Sequence, residues 1–168
     1  IFTFPHGGLT GLFLGNVPVD LPLSDTYFVI GHFHMVMGVS PVLVLFGALY
    51  HWMPKMTGKM FNVTLGKIHF WLTFLCTYAI YLPMHYLGIL GIPRRYYAYG
   101  GADFIPASAQ SMNVGITYAA IILAFVQLIF LYNVFWTLFK GKPAGGNPWE
   151  ATTLEWQTPD TPPKHGNW

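Results

Sequence analysis

An all-α integral membrane protein with three membrane-spanning helices is the fold class this sequence predicts, and three observations predict it. Only 8% of the 168 residues are charged while 54% are hydrophobic and 18% aromatic, against roughly 25% charged in ordinary soluble domains. Three apolar runs, 26–53, 65–90 and 111–139, each exceed the roughly 20 residues that cross a hydrocarbon core of about 30 Å at 1.5 Å per residue. The basic residues are also segregated. Three spans put 1–25 and 91–110 on one side and 54–64 and 140–168 on the other, and Lys55, Lys59, Lys67, Lys140, Lys142 and Lys164 all fall on the second. The positive-inside rule makes that side cytoplasmic, or the matrix of a mitochondrion. A net charge of +2 without a basic cluster excludes a nucleic-acid partner. A single cysteine, Cys76, excludes a disulfide framework and a thiolate metal cluster, and reads as a buried structural thiol.

Taken in order, Ile1-Phe2-Thr3-Phe4-Pro5 has no initiator Met, no basic n-region and no small-residue cleavage site, so it is not a signal peptide and reads as the continuation of something larger. Residues 1–25 carry Gly7-Gly8, Gly11, Gly15, Pro18 and Pro22 and are expected to form an outer-side loop after a preceding helix. The first span, 26–53, ends at Pro54. A turn over 54–64 follows, where Asn62 or Thr64 caps the second span, 65–90. The outer loop 91–110 holds Arg94-Arg95 and Gly100-Gly101. The third span, 111–139, ends before Lys140-Gly141-Lys142-Pro143. The polar tail 140–168 is expected not to fold alone and to lie against a partner.

The strongest chemical signal is Gly31-His32-Phe33-His34 at the mouth of the first span. Imidazoles in an apolar segment are costly unless each has a partner. Positions i and i+2 of an α-helix point about 200° apart, so His32 and His34 serve different ligands on opposite faces. Zinc is disfavoured, because two ligands of one metal prefer i, i+3 or i+4. Imidazole is a common axial ligand of heme iron, and a helix flanked by two hemes explains the spacing; the competing reading is a pair of hydrogen-bonded core histidines.

Arg94 and Arg95 break the charge segregation, and arginines at an outer span end call for an anionic partner such as a heme carboxylate. Asp20 and Asp25 precede the histidine helix: Asp25 reads as its cap and Asp20 as solvated, or a carboxylate contributes to a hard-cation site with partners elsewhere. His85 reads as a satisfied interface residue ahead of a supporting role to a cofactor. His51 and His69 lie near span ends, His6 and His165 in loops, and Asn62-Val63-Thr64 is best read as turn chemistry rather than a glycosylation site.

On these residues and on a series of ordered motifs, the chain resembles the large catalytic subunit of heme–copper terminal oxidases of the cytochrome c oxidase type, in its C-terminal portion. The motifs are Gly7-Gly8-Leu9-Thr10-Gly11, Asp25-Thr26-Tyr27-Phe28, His32-Phe33-His34, Pro54-Lys55-Met56-Thr57-Gly58, Lys67-Ile68-His69-Phe70, His85-Tyr86-Leu87-Gly88, Gly91-Ile92-Pro93-Arg94-Arg95 and the tail from Asn147 to Trp156. The resemblance implies that the three spans are the last three of a twelve-helix bundle. It also implies two hemes, of heme A type. His32 is then the proximal ligand of the oxygen-binding high-spin heme and His34 an axial ligand of the low-spin heme, with Phe33 between them. Arg94 and Arg95 pair with heme propionates, Asp20 lies near a propionate of the high-spin heme, and Asp25 belongs to a magnesium site. Ser24 stands where the family has a histidine magnesium ligand, so the metal is either retained with water or hydroxyl in its place or lost. Met35, where many relatives have tyrosine, is neutral.

The copper of this family is held by three histidines on earlier helices that this sequence does not contain. The implied function is reduction of O₂ to water by cytochrome c coupled to proton translocation, exercised only with the N-terminal remainder of subunit I, oxidase subunits II and III, and the lipid bilayer. The expected location is a bacterial plasma membrane ahead of the mitochondrial inner membrane. Two alternatives stay open: a quinol oxidase of the same superfamily, and a diheme electron-transfer subunit without oxygen chemistry.

Overall fold

Among the described residues, three helical stretches are long and apolar enough to cross a membrane: Tyr27–Thr57, Val63–Ile89 and Ala107–Lys140. The shortest, at 27 residues, reaches about 40 Å, beyond a hydrocarbon core of about 30 Å. The computed structural model describes residues 2–96 and 105–158; the stretch 97–104 of the expected outer loop, and the tail after 158 with Lys164 and His165, lie outside the described residues. In chain order the elements are α1 (Thr3–Leu14), α2 (Val17–Leu23), α3 (Tyr27–Phe33), a π-helical segment (His34–Val39), α4 (Ser40–Thr57), β1 (Lys59–Met60), α5 (Val63–Ile89), α6 (Ala107–Lys140), β2 (Lys142–Pro143) and α7 (Leu154–Gln157). The chain divides into two units, Ile1–Leu43 with Thr73–Ala124, and Val44–Leu72 with Phe125–Trp168.

In the first unit, α1 and α2 replace the loop expected over 1–25. Glycine and proline weaken a helix in isolation, but tertiary contacts override that here. Pro5 sits in the first turn of α1, where a missing N–H costs nothing. Gly7 lies so close to the π-helical segment that an added Cβ would stand 2.5 Å from Val36 Cγ2. The buried hydroxyls of Thr3 and Ser40 are 2.7 Å apart, and Ser40 Oγ donates to the Met35 carbonyl at 2.6 Å, occupying an acceptor within the wider turn of the π-helix. Thr26, not Asp25, caps α3, its hydroxyl accepting from the Phe28 N–H at 3.2 Å. Asp25 instead takes a left-handed φ of 60°, a conformation aspartate tolerates. The core of this unit is Ile80, Leu87, Ile92, Ala109 and Ile116, with Tyr27, Tyr81 and Met84 against it.

In the second unit, α4 runs past Pro54 to Thr57. Proline was the expected stop, but the helix ends at Gly58, whose φ of +71° only glycine adopts freely. β1 and β2 form a short antiparallel pair with Lys59 opposite Pro143, and Lys59 Nζ donates to the Leu138 carbonyl at 2.5 Å near the end of α6. Asn133, fully buried, receives the Asn62 N–H on Oδ1 at 3.1 Å and donates Nδ2 to the Asn62 carbonyl at 3.0 Å. His69, also buried, uses both nitrogens, bonding the Tyr50 hydroxyl at 3.3 Å and Gln127 Oε1 at 3.1 Å.

The tail up to Thr158 packs on this unit, so residues of the same chain supply a surface for it. Two indoles make the difference. Trp149 Nε1 donates to the His51 carbonyl at 2.8 Å and Trp156 Nε1 to His51 Nε2 at 3.1 Å. Trp156 is buried to 3% exposure, and Lys55, itself buried, lies over its ring and donates to the Thr158 carbonyl at 2.9 Å. Burying one tryptophan removes 150–250 Å² from water, enough to anchor a short polar segment.

Candidate functional site

In the first unit, the two histidines of the first span, His32 and His34, stand where α3 passes into the π-helical segment. They straddle a change of backbone geometry, His32 in the last turn of α3 and His34 opening the π-helical segment. His32 turns to α1: its Nδ1 lies 2.8 Å from the Gly7 carbonyl and 3.2 Å from Thr10 Oγ1. Because a carbonyl only accepts, Nδ1 carries the proton and Nε2 keeps its lone pair. His34 Nδ1 lies 2.9 Å from the Ile30 carbonyl of its own helix, which sets the same tautomer, and its ring stacks on Tyr81 of α5 with centroids 4.8 Å apart. The two imidazoles therefore meet different elements, and each has its Nδ1–H anchored to backbone with Nε2 as the available donor.

That donor set fits a heme iron, which takes one neutral imidazole per axial position and whose ligating histidine usually donates its second nitrogen to a carbonyl. The backbone beside His32 makes room for its ring. A Cβ at Gly11 would stand 2.9 Å from His32 Cε1, so glycine leaves the room the ring occupies. Phe33, between the two histidines in sequence, is 37% exposed, and its ring centroid is 4.2 Å from that of His34.

His85 departs from the satisfied interface residue the sequence suggests. Its Nδ1 bonds the Tyr81 carbonyl at 2.8 Å, but its buried Nε2 has no hydrogen-bond partner among the described residues. The ring lies against Gly31, where a Cβ would be 2.8 Å from His85 Nδ1, and edge-on to His6, centroids 5.3 Å apart. His6 belongs to α1 rather than to a loop.

A second cluster gathers where α3 begins. Residues 25–27 pair with 92–94: Thr26 bridges Pro93, the Tyr27 N–H reaches the Ile92 carbonyl at 3.0 Å, and the Arg94 N–H reaches the Asp25 carbonyl at 2.9 Å. Arg94 Nε then donates to Asp25 Oδ1 at 2.9 Å, and its NH2 group meets the same oxygen in an ion pair. Arg95 is exposed with a left-handed φ of 68°, a strained conformation for arginine held between the paired strand-like segment and the turn. Asp20 is half-buried on α2. Among the described residues no group of three or more His, Cys, Asp or Glu side chains could hold a metal ion, so a cation at Asp25 would need ligands from elsewhere and would compete with Arg94.

Gly7, Thr10 and Gly11 are contacts of His32 that their motif alone does not assign. A signal was there: Gly7 and Gly11 are four residues apart on one helix face, the small-residue spacing that lets membrane helices approach closely. No comparable signal marks the π-helical segment.

Comparison with known proteins agrees with this architecture. Residues 1–122 match the model of the family described as cytochrome c and quinol oxidase polypeptide I. The whole chain is 66% identical to the alternative cytochrome c oxidase subunit 1 of Bradyrhizobium diazoefficiens, and 95% of it is 48% identical to cytochrome c oxidase subunit 1 of a Synechocystis species. The chain spans 28% of the length of each of these relatives. In fold it resembles a chain of a heme–copper terminal oxidase dimer solved by cryo-electron microscopy, with a TM-score of 0.71 at 21% identity over 85% of this chain and 26% of that one. Three membrane-spanning helices, the paired imidazoles and these matches lead to one conclusion: the chain is a member of the cytochrome c and quinol oxidase polypeptide I family.

Proposed function

We propose that this chain is the part of an oxidase subunit I that holds one end of each of two hemes, within a complex that reduces O₂ to water with electrons from cytochrome c and couples this to proton translocation. The supporting observation is that His32 and His34 each donate Nδ1–H to a backbone carbonyl, at 2.8 and 2.9 Å, and so offer Nε2 in a set tautomer. In this reading His32 holds the high-spin heme and His34 the low-spin heme. Heme iron bound there supplies oxygen binding and one-electron redox chemistry. The chain's own contribution is orientation: Gly7 and Thr10 hold the His32 ring, Gly11 gives it room, and Ile30 and Tyr81 hold the His34 ring. Phe33 separates the two ligands in sequence, Arg94 and Arg95 bring guanidinium charge for heme carboxylates, and Asp20 on α2 lies toward a carboxylate of the high-spin heme.

Copper belongs to residues outside this chain, as do oxidase subunits II and III and the remainder of subunit I. The relatives named above are bacterial, which supports a bacterial plasma membrane with the lysine-bearing ends on the cytoplasmic side. Replacing His32 in the assembled oxidase is expected to abolish the carbon monoxide difference spectrum and leave the low-spin heme bands; replacing His34 is expected to do the reverse. Retention of both heme signals in both variants would refute the assignment. The family description also includes quinol oxidases; a copper count of the purified complex separates the donors, because a cytochrome c oxidase carries an additional copper centre in its partner subunit.

A further inference from the structure

We propose that Thr10 is a positioning residue for His32: its hydroxyl shares the imidazole Nδ1–H with the Gly7 carbonyl, and in doing so limits how strongly Nε2 donates to a heme iron. The inference rests on the reading of His32 as the high-spin heme ligand. Three contacts close a triangle. His32 Nδ1 is 2.8 Å from the Gly7 carbonyl oxygen and 3.2 Å from Thr10 Oγ1, and Thr10 Oγ1 donates to the same Gly7 carbonyl at 2.9 Å.

The proton positions in this triangle follow from what each group can do. The carbonyl only accepts, so Nδ1 must carry a proton to bond it at 2.8 Å. Nδ1 therefore cannot accept from Thr10. The threonine proton goes to the carbonyl, and its oxygen lone pair is left facing the imidazole N–H. The Nδ1–H is thus divided between two acceptors, and the Gly7 carbonyl is divided between two donors. Each division weakens the individual bond, in contrast to a chain in which donors and acceptors alternate and strengthen one another.

A hydrogen bond from Nδ1–H raises the basicity of the opposite nitrogen, which is how surroundings tune a metal-bound imidazole. With the Thr10 hydroxyl removed, Nδ1–H has the Gly7 carbonyl to itself, the ring gains imidazolate character, and Nε2 becomes the stronger donor. Thr10 therefore acts as a moderator of the axial bond. The bland role for such a hydroxyl is local: threonine often bonds a carbonyl of the preceding helical turn. That role would affect helix stability and heme content without altering the iron–imidazole bond of the protein that retains heme.

Resonance Raman spectroscopy of the reduced, ligand-free, assembled oxidase distinguishes the two, since the iron–histidine stretching frequency reports the axial bond directly. Thr10→Val and Thr10→Ala are expected to move that frequency upward. Thr10→Ser, which restores a hydroxyl, is expected to keep the parent value, and the low-spin heme bands are expected not to move in any of the three. An unchanged or lowered frequency in the hydroxyl-free variants overturns the proposal, as does a Thr10→Ser shift as large as that of Thr10→Val. Loss of the high-spin heme from both hydroxyl-free variants, with Thr10→Ser intact, would make Thr10 structural and equally overturn it. A His32→Asn control separates this inference from the one beneath it: if the iron–histidine band survives in that variant, the ligand assignment fails, whereas its disappearance alongside an unmoved Thr10→Val band defeats the Thr10 role alone.

Discussion

His69 in the second unit and His32 in the first are both imidazoles in apolar helices, and they are satisfied in opposite ways. His69 uses both nitrogens within the chain, taking the Tyr50 hydroxyl at Nδ1 and Gln127 at Nε2. Among the described residues His32 and His34 are hydrogen-bonded through Nδ1 alone, each on a backbone carbonyl, with the Thr10 hydroxyl as a second contact of His32 Nδ1. A ring satisfied at both ends is scaffold. A ring anchored at one end, with the other kept as a lone pair, is prepared for something else. His85 falls between them, anchored at Nδ1 with Nε2 buried and unpartnered among the described residues, at a cost of about 1–3 kcal/mol for such a group. The same contrast runs through the two units: the second closes its polar groups on each other, as in the Asn62–Asn133 pair and the indole bonds to His51, while the first leaves its most reactive atoms open.

That contrast can be broken most forcefully at Gly11. Gly11→Val places methyl groups where His32 needs space and is expected to remove most of the carbon monoxide-reactive heme from the assembled oxidase while the low-spin bands remain; equal heme content would mean the ring does not need that cradle. In the second unit, Trp156→Ala should cost about 3–5 kcal/mol, the usual range for truncating a buried tryptophan. Its signature is earlier thermal unfolding and faster proteolytic cleavage after residue 144, with both heme spectra unchanged in the protein that survives. His69→Leu sharpens the comparison directly. It should lower stability by about 1–3 kcal/mol for each polar partner left unpaired, seen in a thermal melt, without removing either heme. Loss of a heme in that variant would erase the distinction between scaffold and ligand histidines. The smallest effect is expected at the Arg94–Asp25 pair, whose carboxylate side chain is 77% exposed. Arg94→Gln should change stability by only about 0.2–1 kcal/mol, so a larger shift in the visible spectrum than in the melt would point to a role at the hemes.

Much of the second unit and the site was legible at particular residues. His32 and His34 stood out because two imidazoles at i, i+2 in an apolar run have few inexpensive fates, and Arg94-Arg95 stood out against the lysine segregation. Other residues misled. Gly7, Gly8, Gly11, Pro18 and Pro22 read as a loop on local propensity, yet α1 forms because its small residues admit the π-helical segment at close range. Pro54 read as a helix end, although the positive φ at Gly58 makes the actual stop. By composition the tail was expected not to fold alone, and the residues of this chain that hold Trp149 and Trp156, His51 and Lys55, are remote in sequence.

By itself the sequence determined the three membrane spans, the segregation of lysines and the identity of the paired histidines, since composition, length and spacing are local properties that no packing can alter. Tertiary structure alone decided which nitrogen of each histidine is left open. That choice depends on the Gly7 carbonyl, brought to His32 across 25 positions of chain, and on the Ile30 carbonyl, which accepts from His34 Nδ1 where α-helix passes into π-helix, and a hydrogen-bond acceptor has to be in place before a tautomer can be set.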